Sequence, residues 1–175
     1  MNNIRLESLT CVERTTLALN CLYNNLVEMQ TLIGERKIDL FDNAFIKEFC
    51  TIKLTTSRRS GHSTAIGNFV ANRDGTWIVL THNLHQARYL MNTIADAFVR
   101  SNVKILKQTQ SEIISQNNAV ILSSYNCLDG MRGRRVSGVI CDCASLLKKK
   151  QIKEMVKILC PAMRLSKSPC FIYVE

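Results

Sequence analysis

The chain has 175 residues, 46% of them hydrophobic, with seven glycines and two prolines, which is the composition of one folded domain and excludes a disordered or collagen-like chain. A domain of this length typically buries about 70% of its unfolded surface, so it folds without disulfides or a structural metal. The formal charge of +9, from 23 Lys and Arg against 14 Asp and Glu, predicts attraction to polyanions such as nucleic acid, nucleotides or acidic lipid, without choosing among them.

No apolar run approaches the roughly 18–20 residues of a membrane span, and MNNIRLESLT lacks the basic-then-apolar layout of a signal peptide, so a soluble intracellular protein is expected. The eight cysteines lie inside apolar segments without framework spacing and read as reduced, mostly buried thiols. Cys141 and Cys143 have one residue between them, and His82 and His85 stand alone as His-x-x-His. Structural zinc takes paired ligands two to four residues apart, so these residues do not predict a zinc site.

In chain order, Leu19, Leu22, Leu26, Met29 and Ile33 recur at steps of three and four and predict one helix face, with Gly34 as the stop. A second helix follows, with Asp39 as N-cap and Phe41, Ala44, Phe45 and Phe49 on one face. From Cys50 onward short apolar runs alternate with helical stretches, the pattern of parallel strands with crossover helices. The strands are expected at 50–56, 76–81, 103–107, 119–123, 138–142 and 170–174. A helix between the second and third carries the stripe Leu84, Ala87, Met91, Ile94, Ala95 and Phe98. Another, over about 145–160, buries Ile152, Val156 and Leu159, keeps its lysines outside and closes at Pro161.

The segment joining the first strand to a helix runs Thr55-Thr56-Ser57-Arg58-Arg59-Ser60-Gly61-His62-Ser63-Thr64. Backbone N–H groups at such a turn cradle a polyphosphate, a Gly permits close approach, and a Ser or Thr hydroxyl reaches magnesium. Gly61, Ser63 and Thr64 have that layout, while Thr56 stands at the first Gly and His62 at the Lys of the usual Gly-x-x-x-x-Gly-Lys-[Ser/Thr] pattern. The alternative is an ordinary polar turn capped by Ser60 or Ser63. Asp142 ends an apolar strand, where it serves either as a magnesium ligand or as the N-cap of the next helix. Arg132, Arg134 and Arg135 lie in a Gly-flanked loop suited to phosphate recognition, expected near the sheet edge where a polyphosphate or nucleic-acid backbone passes, whereas the lysines of 148–157 read as a solvated helix face.

Together these segments resemble the ATPase domain of large terminase subunits, the DNA-packaging motors of tailed phages and herpesviruses, and more distantly helicases with the same core. Ser57–Thr64 looks like the terminase form of the phosphate loop, Ile78–Ala87 is similar to the next family motif, and Gly130–Arg135 followed by Asp142 looks like the approach to the acidic strand. Pro169–Val174 falls where the coupling strand would come. The resemblance covers roughly residues 38–175 and implies an α/β, three-layer P-loop NTPase fold with a mainly parallel sheet after N-terminal helices, divided as 1–37 and 38–175.

It also implies ATP and Mg2+ as ligands: Arg58, Arg59, Ser60, Gly61, His62, Ser63 and Thr64 around the nucleotide, and Ser63 and Asp142 on the metal. DNA, bound through Arg132, Arg134 and Arg135, and other subunits of a viral packaging or DNA-processing assembly are the implied partners, in the host cytoplasm or nucleus. Two departures bear on turnover. His62 replaces the phosphate-neutralising Lys, and Cys143 takes the place of the Glu that activates water, so the catalytic set is degenerate and hydrolysis is expected to be absent or very slow. An active ATPase with non-standard residues, and a structural protein that retains the fold without nucleotide, are the alternatives.

Overall fold

Two apolar faces alternate along the inner strands, so the sheet is covered on both sides. The computed structural model describes residues 8–33, 43–56, 61–163 and 169–175. Its strands are β1 (Thr51–Leu54), β2 (Gly75–Thr81), β3 (Ile105–Gln108), β4 (Glu112–Ser115), β5 (Asn118–Ser124), β6 (Gly138–Asp142) and β7 (Cys170–Val174). They form one sheet in the order β1-β7-β6-β2-β5-β4-β3. The five strands from β1 to β5 in that order are mutually parallel, and the β3–β4 and β4–β5 pairs are antiparallel.

The helices are α1 (Cys11–Ile33), α2 (Asn43–Phe49), α3 (His62–Ala71), α4 (Leu84–Arg100) and α5 (Lys149–Met163). Trp77 and Val79 of β2, Ile140 of β6 and Ile172 of β7 share a core with α1, α3 and α4. Ile78, Leu80, Val139, Cys141 and Phe171, one residue out of phase, share the other core with α2 and α5. The period-two switch of side chains thus builds the expected three layers.

Several details correct the sequence expectations. The predicted strand at 103–107 lies at 105–108 and turns back as a hairpin with the unpredicted β4, so this end of the sheet is antiparallel. On α1 the buried line is Thr15, Leu19, Leu26 and Gln30, and Met29 is exposed. Gln30 is inside because its amide nitrogen donates to the carbonyls of Phe49 (2.7 Å) and Pro169 (2.9 Å), tying α1 to the end of α2 and the start of β7. On α2 the buried residue is Ile46, not Ala44, and Leu84 at the start of α4 is exposed. On α5, Met155, Ile158 and Leu159 are buried while Ile152 and Val156 are half-buried, and Pro161 stands inside the helix, on its exposed side, instead of closing it. Gly34, Asp39 and Phe41 lie outside the described residues.

Trp77 is the largest side chain with essentially no exposure. It meets Phe69 and Tyr23 edge-on, at ring centroid distances of 5.3 and 5.8 Å, and Arg73 stacks 4.6 Å over Tyr23, so α1, α3 and β2 interlock. Gly138 is the floor of this cluster: a Cβ there would stand 2.4 Å from Trp77 Cζ3.

Candidate functional site

The register of three adjacent strands assembles the site. Leu54 of β1 and Asp142 of β6 both pair with Val174 of β7, so the C-terminal ends of β1 and β6 flank one strand and stand about 10 Å apart. Thr56 continues this edge, its N–H and hydroxyl both donating to the Glu175 carbonyl (2.8 and 2.9 Å). In an open parallel sheet this carboxyl edge is where ligands bind.

Helix α3 starts over this edge. Gly61 is its N-cap, in the left-handed region (φ 72°), with its carbonyl accepting from the Ala65 N–H at 2.9 Å. A Cβ at Gly61 would fall 2.4 Å from Val12 Cγ2, so Gly is required by both the backbone angle and the first turn of α1. The cap residue, a glycine, has no side chain to serve the first-turn N–H groups of α3, and such N–H groups at a helix start favour an anion.

His62, the first residue of α3, reaches across to Asp142: its Nε2 lies 3.2 Å from Asp142 Oδ1. Asp142 is buried and His62 partly so. The hydrogen bond to Asp142 raises the His62 pKa, opposed by partial burial and reinforced by the charge of the carboxylate. Tyr125, at the end of β5, donates its hydroxyl to the Asp142 main-chain carbonyl at 2.6 Å, and burial pushes the Tyr125 phenol far up, so it acts as a neutral donor.

Cys143 follows in a left-handed conformation (φ 57°, ψ 49°), which a non-glycine residue adopts at a cost of roughly 1 kcal/mol. Its Sγ lies 3.9 Å from Asp142 Oδ1, and burial followed by the Asp142 charge pushes the thiol up. A neutral thiol is a poor general base. The ligand atoms of His62, Asp142 and Cys143 all lie within 4.8 Å of one another.

Of the expected site residues, Gly61, His62, Ser63 and Thr64 open α3 above this edge and Asp142 meets His62, while Arg58, Arg59 and Ser60 are outside the described residues. The oxygen donors of Ser63 and Asp142 are of the type magnesium takes, but the Asp142 oxygen is held by His62, and His62 and Cys143 add a nitrogen and a sulfur that magnesium does not use. Arg132, Arg134 and Arg135 are not brought to this edge. They lead into the N-terminal end of β6, four residue steps and about 13 Å before Asp142. There they border a concavity of about 420 Å³ with Lys157 of α5; Arg132 pairs with Asp129 (3.0 Å) and Arg134 with Glu112 (3.3 Å).

Sequence reasoning missed a second basic surface. Lys47 of α2, Lys53 of β1, and Lys149 and Lys153 of α5 surround a cleft of about 550 Å³ whose wall includes Ile46 and Val156. The lysines of α5 were legible as an exposed face; their meeting with α2 and β1 depends on the fold.

By sequence, no family model and no curated protein matches the chain. By structure, it is similar to the large terminase ATPase domain of Thermus phage P74-26, at TM-score 0.52 and 14% identity over 70% of this chain and 58% of that one. It is likewise similar to the large terminase of a thermophilic bacteriophage, at TM-score 0.56 and 10% identity over 79% of this chain and 37% of that one. A structure of that second terminase in complex with ADP aligns at TM-score 0.51 and 8% identity. The chain therefore has the α/β fold of terminase ATPase domains and spans less than two thirds of the length of these proteins. None of the helices among the described residues is long and apolar enough to cross a membrane.

Proposed function

We propose that this chain is a terminase-like P-loop domain with a degenerate catalytic set, which binds nucleotide, DNA or both in a viral DNA-packaging or DNA-processing assembly and does not turn ATP over at a motor rate. The observation that carries this reading is the His62–Asp142 contact beside Cys143. In the resembled family the two replaced positions hold a lysine on the phosphates and a glutamate on the attacking water. Here one is a shorter side chain already hydrogen-bonded to the acidic strand, and the other a thiol without a carboxylate base.

Holding a nucleotide and hydrolysing it depend on different groups. The first turn of α3, with Gly61 at its entrance, is suited to phosphate oxygens. Ser63 and Asp142 are the residues that would hold the accompanying magnesium, which neutralises phosphate charge when bound. The same Asp142 oxygen meets His62, so magnesium competes with that hydrogen bond. DNA is assigned to Arg132, Arg134 and Arg135 with Lys157, on charge and geometry: exposed ion pairs such as those of Arg132 and Arg134 are worth little and leave the guanidinium groups available to phosphates.

Nucleotide titration with steady-state hydrolysis tests the reading: binding of an ATP analogue without detectable turnover is expected. Turnover at an ordinary motor rate would favour the active-enzyme alternative; failure to bind both nucleotide and DNA would leave only a structural role.

A further inference from the structure

We infer that His62, Asp142 and Cys143 form a site for a borderline divalent cation of the zinc type, which binds without nucleotide. The three residues offer an imidazole nitrogen, a carboxylate oxygen and a sulfur from two segments eighty residues apart, with ligand atoms all within 4.8 Å. Bond lengths of about 2.0–2.3 Å at tetrahedral angles place ligand atoms roughly 3.4–3.6 Å apart. The observed separations from Asp142 Oδ1, 3.2 Å to His62 Nε2 and 3.9 Å to Cys143 Sγ, bracket that spacing.

The backbone explains how the sulfur reaches the site. Along β6 the side chains alternate, and Cys141 points into the α5 face, where its Sγ lies 3.4 Å from the Met155 sulfur. Had the strand continued, Cys143 would share that face and stand away from Asp142. The left-handed turn at Cys143 instead brings its Sγ beside the Asp142 carboxylate. The Tyr125 hydroxyl on the Asp142 carbonyl fixes the same turn from behind.

Donor chemistry selects the ion. Magnesium and calcium take oxygen ligands, whereas nitrogen and thiolate sulfur suit zinc and its cobalt surrogate. The ion displaces the His62–Asp142 hydrogen bond, the thiol releases its proton to solvent, and three protein ligands leave a fourth position for water or a phosphate oxygen. The inference goes beyond the nucleotide reading and stands or falls separately from it, because its test contains no nucleotide.

The experiment is a titration of the reduced, metal-free full chain with Co2+, followed by zinc competition. One equivalent of cobalt is expected to produce a thiolate-to-cobalt charge-transfer band in the near ultraviolet, retained in excess Mg2+. Cys143→Ser should abolish the band and weaken zinc binding by more than about 100-fold. Replacing the exposed Cys11, Cys21 and Cys127 by Ser should leave the band in place. If Cys143→Ser does not fold, His62→Ala, which keeps the thiol, should weaken zinc binding at least about tenfold. A missing band in the parent, a band that survives Cys143→Ser, or one lost with the three exposed thiols would overturn the inference, as would displacement of cobalt by Mg2+.

Discussion

The two ends of β6 are built on opposite terms. At its N-terminal end Gly138 lies under Trp77 with no room for a side chain, and Val136 just before it donates to the Ala162 carbonyl at 2.9 Å. At its C-terminal end, four residues on, a buried carboxylate meets a histidine and a thiol held in an unfavourable backbone conformation. Substitution at the first end is therefore felt as stability. At the second, backbone strain and buried polar atoms stand together, the combination by which a site is recognised, and substitution there tests the proposed ligand chemistry.

The largest expected effect breaks that division by restoring chemistry to the C-terminal end. His62→Lys with Cys143→Glu replaces the pair by a phosphate-neutralising cation and a carboxylate base. General-base assistance alone typically contributes about 10²- to 10⁴-fold, so an inactive parent and a variant with measurable ATP turnover are expected in steady-state assays. An active parent would remove the distinction between holding and hydrolysing.

Next comes Gly138→Ala, which places a methyl against the Trp77 ring and should cost about 1–3 kcal/mol of stability in chemical denaturation. A neutral result would mean that Trp77 moves aside freely.

The third concerns the arginines that approach the N-terminal end. Charge reversal at Arg132, Arg134 and Arg135 should weaken DNA binding about tenfold or more, and by more than the same change at Lys149, Lys150 and Lys153, in a titration at fixed salt. Three lost phosphate contacts also lower the slope of log affinity against log salt by about 2.7. Equal effects of the two sets would reassign the DNA surface to the lysine cleft.

The smallest effect is Cys143→Gly, which should stabilise the fold by up to about 1 kcal/mol because glycine adopts this backbone conformation without strain. A loss of stability would show that the sulfur is there for packing.

How far the sequence foretold this molecule depends on whether neighbours in the fold are neighbours in the chain. The inner strands at 76–81, 119–123, 138–142 and 170–174 were legible within a residue or two because they are mostly buried, mainly apolar runs. β4 was not, since Glu112-Ile113-Ile114-Ser115 is too short for a period to show. The α1 stripe misled because Gln30, a polar residue, is buried by carbonyls contributed from residues 49 and 169. At the site, His62, Asp142 and Cys143 were each singled out as motif positions, but their contact was invisible. It arises from strand register across β7 and one left-handed turn, neither of which leaves a spacing rule in the sequence.

The sheet also ends in a way that governs how the molecule meets others. Both outermost strands, β1 and β3, are four residues long, each carries an exposed lysine, Lys53 or Lys107, and the β3–β4 register shifts between Ile105 and Lys107. Short, charged and irregular borders discourage a second chain from adding a strand. Backbone zippering between copies of this domain is thereby disfavoured, and any contact between copies falls to side chains on helices and loops.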